Sequence, residues 1–332
     1  MHRITRAYDL TVTLQQDPTP SLELDAHTLR IVRAIVEHGS ITAAAAALGY
    51  SQPAVSQHLR RTEARIGMPL VARSGRGVRL TEAGRVLARH ARTITTALDA
   101  AAGELAELSG LRAGRVRLAA FPTASSTLVP QVLRQLAAAH PGIGITYLEA
   151  EPPEAVEAVR AQQADLAITF SYPGDRVDPH GESARGLVVI PLWEDEMMVA
   201  LPAGHPASRG KRVDLESLSE ENWIAGCPRC RGHLLQLAET SGFQPSIAYE
   251  TDNFTAVLGM VSAGLGVAIL PSLALALSNV PSDVAILPTA NRDRRTIHLV
   301  AAQGSDQVPA IAATAAAVVE LDGAAWSLRT AS

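Results

Sequence analysis

Apolar positions recur at helical spacing through the first hundred residues and give way, beyond residue 114, to short apolar runs separated by polar turns. Asp25 opens a first helix whose stripe is Leu29, Val32, Ile35 and Val36, and Gly39 closes it. Ser40 then caps an alanine-dense run, Ile41 to Leu48, that ends at Gly49. Ser51 caps a third helix that tolerates Pro53 in its first turn, where amides lack helical partners. Val55, Leu59 and Ile66 share one face of it, whereas Gln52, Ser56 and Arg60 stand four apart on another. Two short apolar segments flanking Ser74-Gly-Arg-Gly77 predict a hairpin. Beyond it Thr81 caps a long helix in which Leu87, Ala91, Ile94, Leu98, Ala101, Leu105 and Leu108 alternate spacings of four and three. That is a heptad seam, and a seam of this length predicts a partner helix. Gly110 and Gly114 mark its end.

From Arg115 strands and helices alternate: strands near Val116–Phe121, Ile143–Glu149 and Asp165–Phe170, with helices over Thr127–Ala139 and Pro153–Gln162. The rhythm predicts buried parallel strands with crossover helices. A longer strand, Leu187 to Leu201, crosses into a second lobe extending to Leu270. Later strands near Val284–Leu287 and Thr296–Ala302 and a helix from Asp306 to Leu321 are expected to return to the first lobe. Phe254 to Ser282 carries no charge, but its glycines and Pro271 divide it into pieces too short to span a bilayer.

Composition sharpens the division. At 332 residues and 47% apolar content the chain supports several packed domains, and two cysteines suit a reducing cytoplasm rather than a disulfide scaffold. The net charge of −4 conceals an asymmetry. Residues 51–92 hold nine arginines against Glu63 and Glu82, a balance of +7 that leaves −11 for the rest. Basic charge confined to the helical segment is the footprint of a nucleic-acid contact. The polar groups of the third helix are those that read base edges in a major groove.

SQPAVS at residues 51–56, Glu63 and Gly67 in E-x-x-x-G spacing, Arg73, and LTEAG from Leu80 to Gly84 form a specific combination. The run from Ser40 to Gly84 resembles the winged helix-turn-helix of LysR-type transcriptional regulators, and the resemblance extends more weakly to about residue 320. Thr62 and Val71 depart from it, standing where the family has a leucine and a phenylalanine. The resemblance implies a multidomain chain: an all-α winged helix-turn-helix over 22–80, a linker and dimerisation helix over 81–112, and a two-lobed α/β effector domain over 113–322, similar to type 2 periplasmic binding proteins. Lobe I would hold 115–193 and 271–322, and lobe II 194–270, after an N-terminal extension over 1–21. Expected DNA-facing residues are Thr42, Ser51, Gln52, Pro53, Ser56, Gln57, Arg60, Arg73 and Arg76. The implied partners are double-stranded operator DNA, a second copy or three further copies of the chain, a small-molecule effector of anionic or other character, and RNA polymerase for an activator. The implied location is the cytoplasm, at the nucleoid.

Ligands of open α/β sheets bind beyond the carboxyl ends of the strands. That places Thr123, Ser125 and Ser126 after the first strand, Phe170 and Ser171 after the third, and Thr251 to Asn253, including Asp252, among the effector candidates. Gly226-Cys-Pro-Arg-Cys-Arg-Gly-His233 is the remaining one. Cys227 and Cys230 at a helix start admit a reactive dithiol or disulfide switch, a metal site completed by His233, an anion site at Arg229 and Arg231, or a plain turn. No second ligand pair completes a metal site in the sequence, and no cofactor is implied. A thiol-dependent enzyme or redox sensor built on this pair is the rival to the regulator. A secreted solute-binding protein is a further rival that an absent export signal disfavours.

Overall fold

The computed structural model describes residues 24–74, 77–108, 114–175 and 180–331, and divides the chain into two compact units between Thr95 and Thr96. The extension over 1–21, Arg76 and Gly110 lie outside the described residues, as do the side chains of Arg73 and Leu108.

The first unit begins with α1 (Ala26–His38), where the Asp25 carboxylate accepts a 2.6 Å hydrogen bond from the Thr28 amide and Gly39 ends the helix at φ 68°. Helix α2 (Ile41–Ala47) is capped by Ser40, and α3 (Gln52–Ile66) by Ser51 and, at its far end, by Gly67 at φ 71°. The left-handed conformation at these ends suits glycine, which has no Cβ to clash. Leu29, Ile31, Val32, Ile35, Ala44, Ala45, Val55, Leu59 and Leu70 form the core. Val36 is 55% exposed, so the buried stripe of α1 runs through Ile31 instead, one turn before Ile35. Thr62 is buried but not loose: its hydroxyl meets that of Thr28 at 3.1 Å, and Thr28 in turn meets His58 Nε2 at 2.9 Å.

Strands β1 (Val71–Ser74) and β2 (Gly77–Leu80) form the predicted antiparallel hairpin, with Val71 opposite Leu80. Glu63 holds it to α3, accepting from the amides of Leu70 at 2.7 Å and Val71 at 3.2 Å. Helix α4 (Glu82–Leu108) starts against the same strand, where a Cβ on Gly84 would lie 2.2 Å from the Leu70 carbonyl oxygen. Leu87 and Ala91 are buried in the first unit's core, whereas Ile94 and Leu98 are exposed at 41% each and Leu105 at 64%.

The second unit opens with β3 (Gly114–Ala120), α5 (Pro122–Ser126), α6 (Leu128–Ala139), β4 (Ile143–Glu149), α7 (Pro152–Arg160), β5 (Leu166–Ser171) and α8 (His180–Ser183). Strand β3 pairs in parallel with β4 and β5, as crossover helices require. The 15-residue β6 (Val188–Pro202) then crosses between the lobes. The far lobe holds β7 (Asn222–Ala225), α9 (Pro228–Thr240), β8 (Ser246–Glu250), α10 (Phe254–Ser262), β9 (Ala268–Pro271) and β10 (Val284–Pro288), while α11 (Ser272–Leu275) lies at the junction, its Leu273 packed in the first lobe's core. The return is made by β11 (Arg294–Ala301), followed by α12 (Pro309–Val319) and β12 (Arg329–Thr330).

The sequence pattern sends β10 back to the first lobe, and the structure corrects this. Strand β10 pairs antiparallel with Met198–Pro202 of β6, and Val284 packs in the far lobe's core with Val257, Val261 and Leu270. The far half of β6 needs a neighbour on each edge, β9 on one and β10 on the other. The return therefore falls one strand later, where β11 pairs antiparallel with both β5 and the near half of β6. The uncharged stretch over 254–282 resolves into α10, β9 and α11. Among the described residues no helix is long and apolar enough to cross a membrane.

Candidate functional sites: a nucleic-acid face and an interlobe cavity

Helix α3 is anchored through one face and presents the other. Val55, Leu59 and Thr62 are buried, while Ser51, Gln52, Pro53, Gln57 and Arg60 are exposed and Ser56 is half-buried. Ser51 accepts from the Ala54 amide at 3.4 Å, fixing the first turn, and Gln52 Nε2 donates to Ser56 Oγ at 2.8 Å, aligning two of the polar side chains. Thr42 is exposed on α2, the helix before the turn. Arg73 lies on β1 of the hairpin by its backbone. The fork, amide and hydroxyl groups of this face match the donor and acceptor patterns of base edges and phosphates.

In the second unit a narrow cavity of about 40 Å³ lies between the lobes. Of the predicted effector residues, Thr123, Phe170, Cys227, Thr251 and Asp252 line it. Ser125, Ser126, Ser171, Arg229 and Arg231 do not. Ser125 donates to the Phe121 carbonyl at 3.0 Å and bonds the Tyr147 hydroxyl, and Ser126 donates to the Thr123 carbonyl at 3.1 Å, so both serve their own helix turn. Ser171 meets His298 Nε2 at 2.8 Å. Arg229 is buried in a 2.7 Å ion pair with Asp175, and Arg231 pairs with Glu250 at 3.0 Å on an outer groove. With both arginines so placed, the expected anion site at that turn does not form on the cavity wall.

Sequence reasoning missed the polar groups that dominate the cavity. Arg295, at the start of β11, is buried and donates to Asp195 through Nε at 2.9 Å and to the Thr123 hydroxyl through Nη2 at 2.9 Å. Asp195 accepts in addition from Ser272 Oγ at 2.7 Å and the Leu273 amide at 3.0 Å. The guanidinium lies 4.5 Å from the Phe170 ring and 4.9 Å from Phe121, within cation–π range. Burial alone would make Arg295 easier to deprotonate, but Asp195 and its neighbours outweigh it and hold the charge more firmly. Opposite, burial raises the Glu151 carboxyl, whose Oε2 has no hydrogen-bond partner among the described residues. His233 stacks on Tyr172 at 3.9 Å between ring centroids, both ring nitrogens without a hydrogen-bond partner among the described residues, and burial lowers its pKa to about 4. Arg295 follows Arg294 at the start of a mixed strand, RRTIHLVA, and nothing in that pattern marks one arginine as buried and the other as half-exposed.

Cys227 is the N-cap of α9, its sulfur accepting from the Cys230 amide at 3.3 Å, and the two sulfurs lie 2.6 Å apart. The hydrogen bond between the two sulfurs lowers the Cys230 thiol against its burial, with help from the Arg295 charge and the Tyr172 hydroxyl at 3.8 Å. The same hydrogen bond, then burial, raises Cys227. Among the described residues no group of three His, Cys, Asp or Glu side chains is arranged to hold a metal ion.

Known proteins share both units. Residues 26–85 match the bacterial regulatory helix-turn-helix proteins of the lysR family, and residues 109–322 match the LysR substrate binding domain. A probable hydrogen peroxide-inducible genes activator of Mycobacterium avium is 30% identical over 277 residues, covering 82% of this chain and 86% of that protein. The HTH-type transcriptional activator CmpR of Synechocystis is 28% identical over 293 residues, 87% of this chain and 92% of its own length. A full-length OxyR variant from Pseudomonas aeruginosa shares the fold at TM-score 0.66 and 21% identity, over 90% of this chain and 99% of that one.

Proposed function

The chain belongs to the LysR family of bacterial helix-turn-helix transcriptional regulators, and from that premise we propose that α3 reads an operator while the interlobe cavity receives the controlling small molecule. The exposed Gln52, Gln57 and Arg60, on a helix capped at both ends and held through its opposite face, carry the reading. Such a helix enters a major groove with its first turns toward the bases. Arg73 on β1 and Arg79, exposed on β2, supply phosphate contacts, as the sequence also suggests for Arg76. Ile94 and Leu98 of α4 offer the apolar seam through which two copies would match a two-fold operator, with pairs of dimers as the next level of assembly. The regulators that this chain resembles support a non-enzymatic role, DNA as the partner and the cytoplasm as its location, with RNA polymerase as a further contact if the regulator activates.

The effector site comprises Thr123, Phe170, Thr251 and Asp252 together with Glu151, His233 and Arg295. Mobility shifts of the full-length protein on the duplexes flanking its own gene test the DNA reading. We expect binding that depends on salt and on an inverted-repeat sequence. Equal affinity for every duplex by a folded protein would overturn it.

A further inference from the structure

Cys227 and Cys230 occupy one turn of α9 and belong to two different spaces. Both line the interlobe cavity, but Cys227 also lines an outer groove of about 730 Å³ with Pro228, Arg231, Glu250 and Asp252. The cavity side is narrow, at about 40 Å³, too small for a reagent the size of a glutathione disulfide. The groove side is open to a bulkier reagent. With their sulfurs 2.6 Å apart, little backbone movement separates the free thiols from a bond of about 2.05 Å. The pair is asymmetric as well: Cys227 is buried yet alone of the two lines the groove, whereas the half-buried Cys230 sulfur faces the cavity, with the Tyr172 hydroxyl at 3.8 Å and the Arg295 charge favouring its thiolate.

We propose that Cys227 and Cys230 are a reversible dithiol–disulfide couple that exchanges with low-molecular-weight thiols and disulfides through the outer groove, Cys227 taking the mixed disulfide and Cys230 acting as the internal thiolate. The regulatory consequence, a disulfide that alters the cavity wall and hence operator binding, rests on the regulator reading above.

From the dithiol, one proton passes to a base in solvent and the remaining one rests on Cys230. The Cys227 thiolate attacks a disulfide RSSR in the groove, forming Cys227–S–S–R and releasing RS⁻. That thiolate takes the proton from Cys230 and leaves as RSH. The Cys230 thiolate then attacks the Cys227 sulfur, breaking its bond to R–S and releasing the second RS⁻ to solvent. Two electrons pass from the dithiol to RSSR, which becomes two thiols. In reverse, RS⁻ attacks Cys227 from the groove and Cys230 departs. A thiolate of low pKa is the better leaving group, so the asymmetry speeds reduction of the disulfide.

The test equilibrates the full-length protein anaerobically with reduced and oxidised glutathione at graded ratios, quenches with acid, alkylates with N-ethylmaleimide and counts adducts by intact mass. The wild type should lose both alkylations together across one transition. Cys230→Ser should accumulate a single glutathione on Cys227, and Cys227→Ser at least tenfold less on Cys230; thermal melts confirm that both variants fold. Two alkylations at every ratio, an adduct on Cys230 in preference to Cys227, or oxidation by hydrogen peroxide but not by oxidised glutathione would each overturn the exchange. Mobility shifts of both redox forms complete the test, with an affinity change of fivefold or more expected. Equal operator affinity of the two forms refutes the regulatory half alone, whereas operator-independent binding by the reduced form refutes the regulator reading and leaves the chemistry standing.

Discussion

At the scale of single residues, the second unit depends on charges and imidazoles placed where water is scarce. Arg295 and Asp195 are 2% and 0% exposed and 2.8 Å apart, so removing one strands the other. Breaking such a pair costs about 3–5 kcal/mol, because the remaining charge keeps its desolvation cost without its partner. Arg295→Met and Asp195→Asn should each destabilise the unit by that order in urea unfolding. The double replacement by apolar residues should cost less than the sum of the two, since it leaves neither charge unpaired. The imidazoles predict a pH window. Burial holds His233 to about 4, and burial with the neighbouring His180 holds His298 to about 4, both below the ordinary 6.5. Below 6.5 the unfolded chain takes up protons that the folded chain refuses, so stability is complete above that pH and is lost as pH falls towards 4. The loss should amount to up to about 3 kcal/mol for each imidazole, read as a falling melting temperature between pH 6.5 and 4. His233→Gln should flatten part of that slope.

Helices α3 and α4 each divide their work by face or by length. In α3, Gln52 and Gln57 project from a helix whose stability rests on Val55, Leu59 and Thr62, so truncating the amides should leave folding intact. Gln52→Ala and Gln57→Ala should relax base preference by about 1–3 kcal/mol for any base pair read directly, seen in competition between operator variants. Helix α4 serves two ends. Leu87 is 8% exposed in the first unit's core, and its replacement by alanine should lower that unit's stability by about 2–3 kcal/mol. Leu98, 41% exposed, lies on the distal seam. Leu98→Glu should weaken self-association at least tenfold in sedimentation equilibrium while leaving the melt of the first unit unchanged. The heptad pattern in the sequence treats Leu87 and Leu98 alike. Only the packing separates a residue that completes its own domain from one left exposed, because both positions carry the same apolar spacing.

Across the whole molecule, the order of domains was legible because local chemistry states it: serine caps at Ser40 and Ser51, glycines at Gly39 and Gly67, and a change from helical to alternating apolar rhythm near Gly114. The cavity was half legible. Thr123 and Phe170 follow from strand ends, but Arg295 meets Asp195 across 100 residues and Thr123 across 172, and no local pattern encodes such a meeting. The placement of β10 was hidden for the same reason, since the apolar strand Val284–Pro288 fits either lobe until β6 offers an edge. Charge, by contrast, is a global property that the sequence states outright, and it yields a prediction for the intact regulator. The chain is acidic overall, at net −4, yet residues 51–92 carry +7, so DNA attraction and whole-protein repulsion act at once. Short-range phosphate contacts release counterions and should dominate, each steepening the fall of log affinity with log salt by about 0.9. Arg79 is exposed on β2 of the hairpin and on no base-reading helix. Arg79→Ala should therefore weaken binding to every duplex alike and make the salt slope shallower by about 0.9 per chain engaged, or about 1.8 for a dimer. An unchanged slope with lost sequence preference would move Arg79 from the phosphate backbone to the bases. The size of the change, one contact or two, also counts the chains on the operator without a separate measurement of assembly.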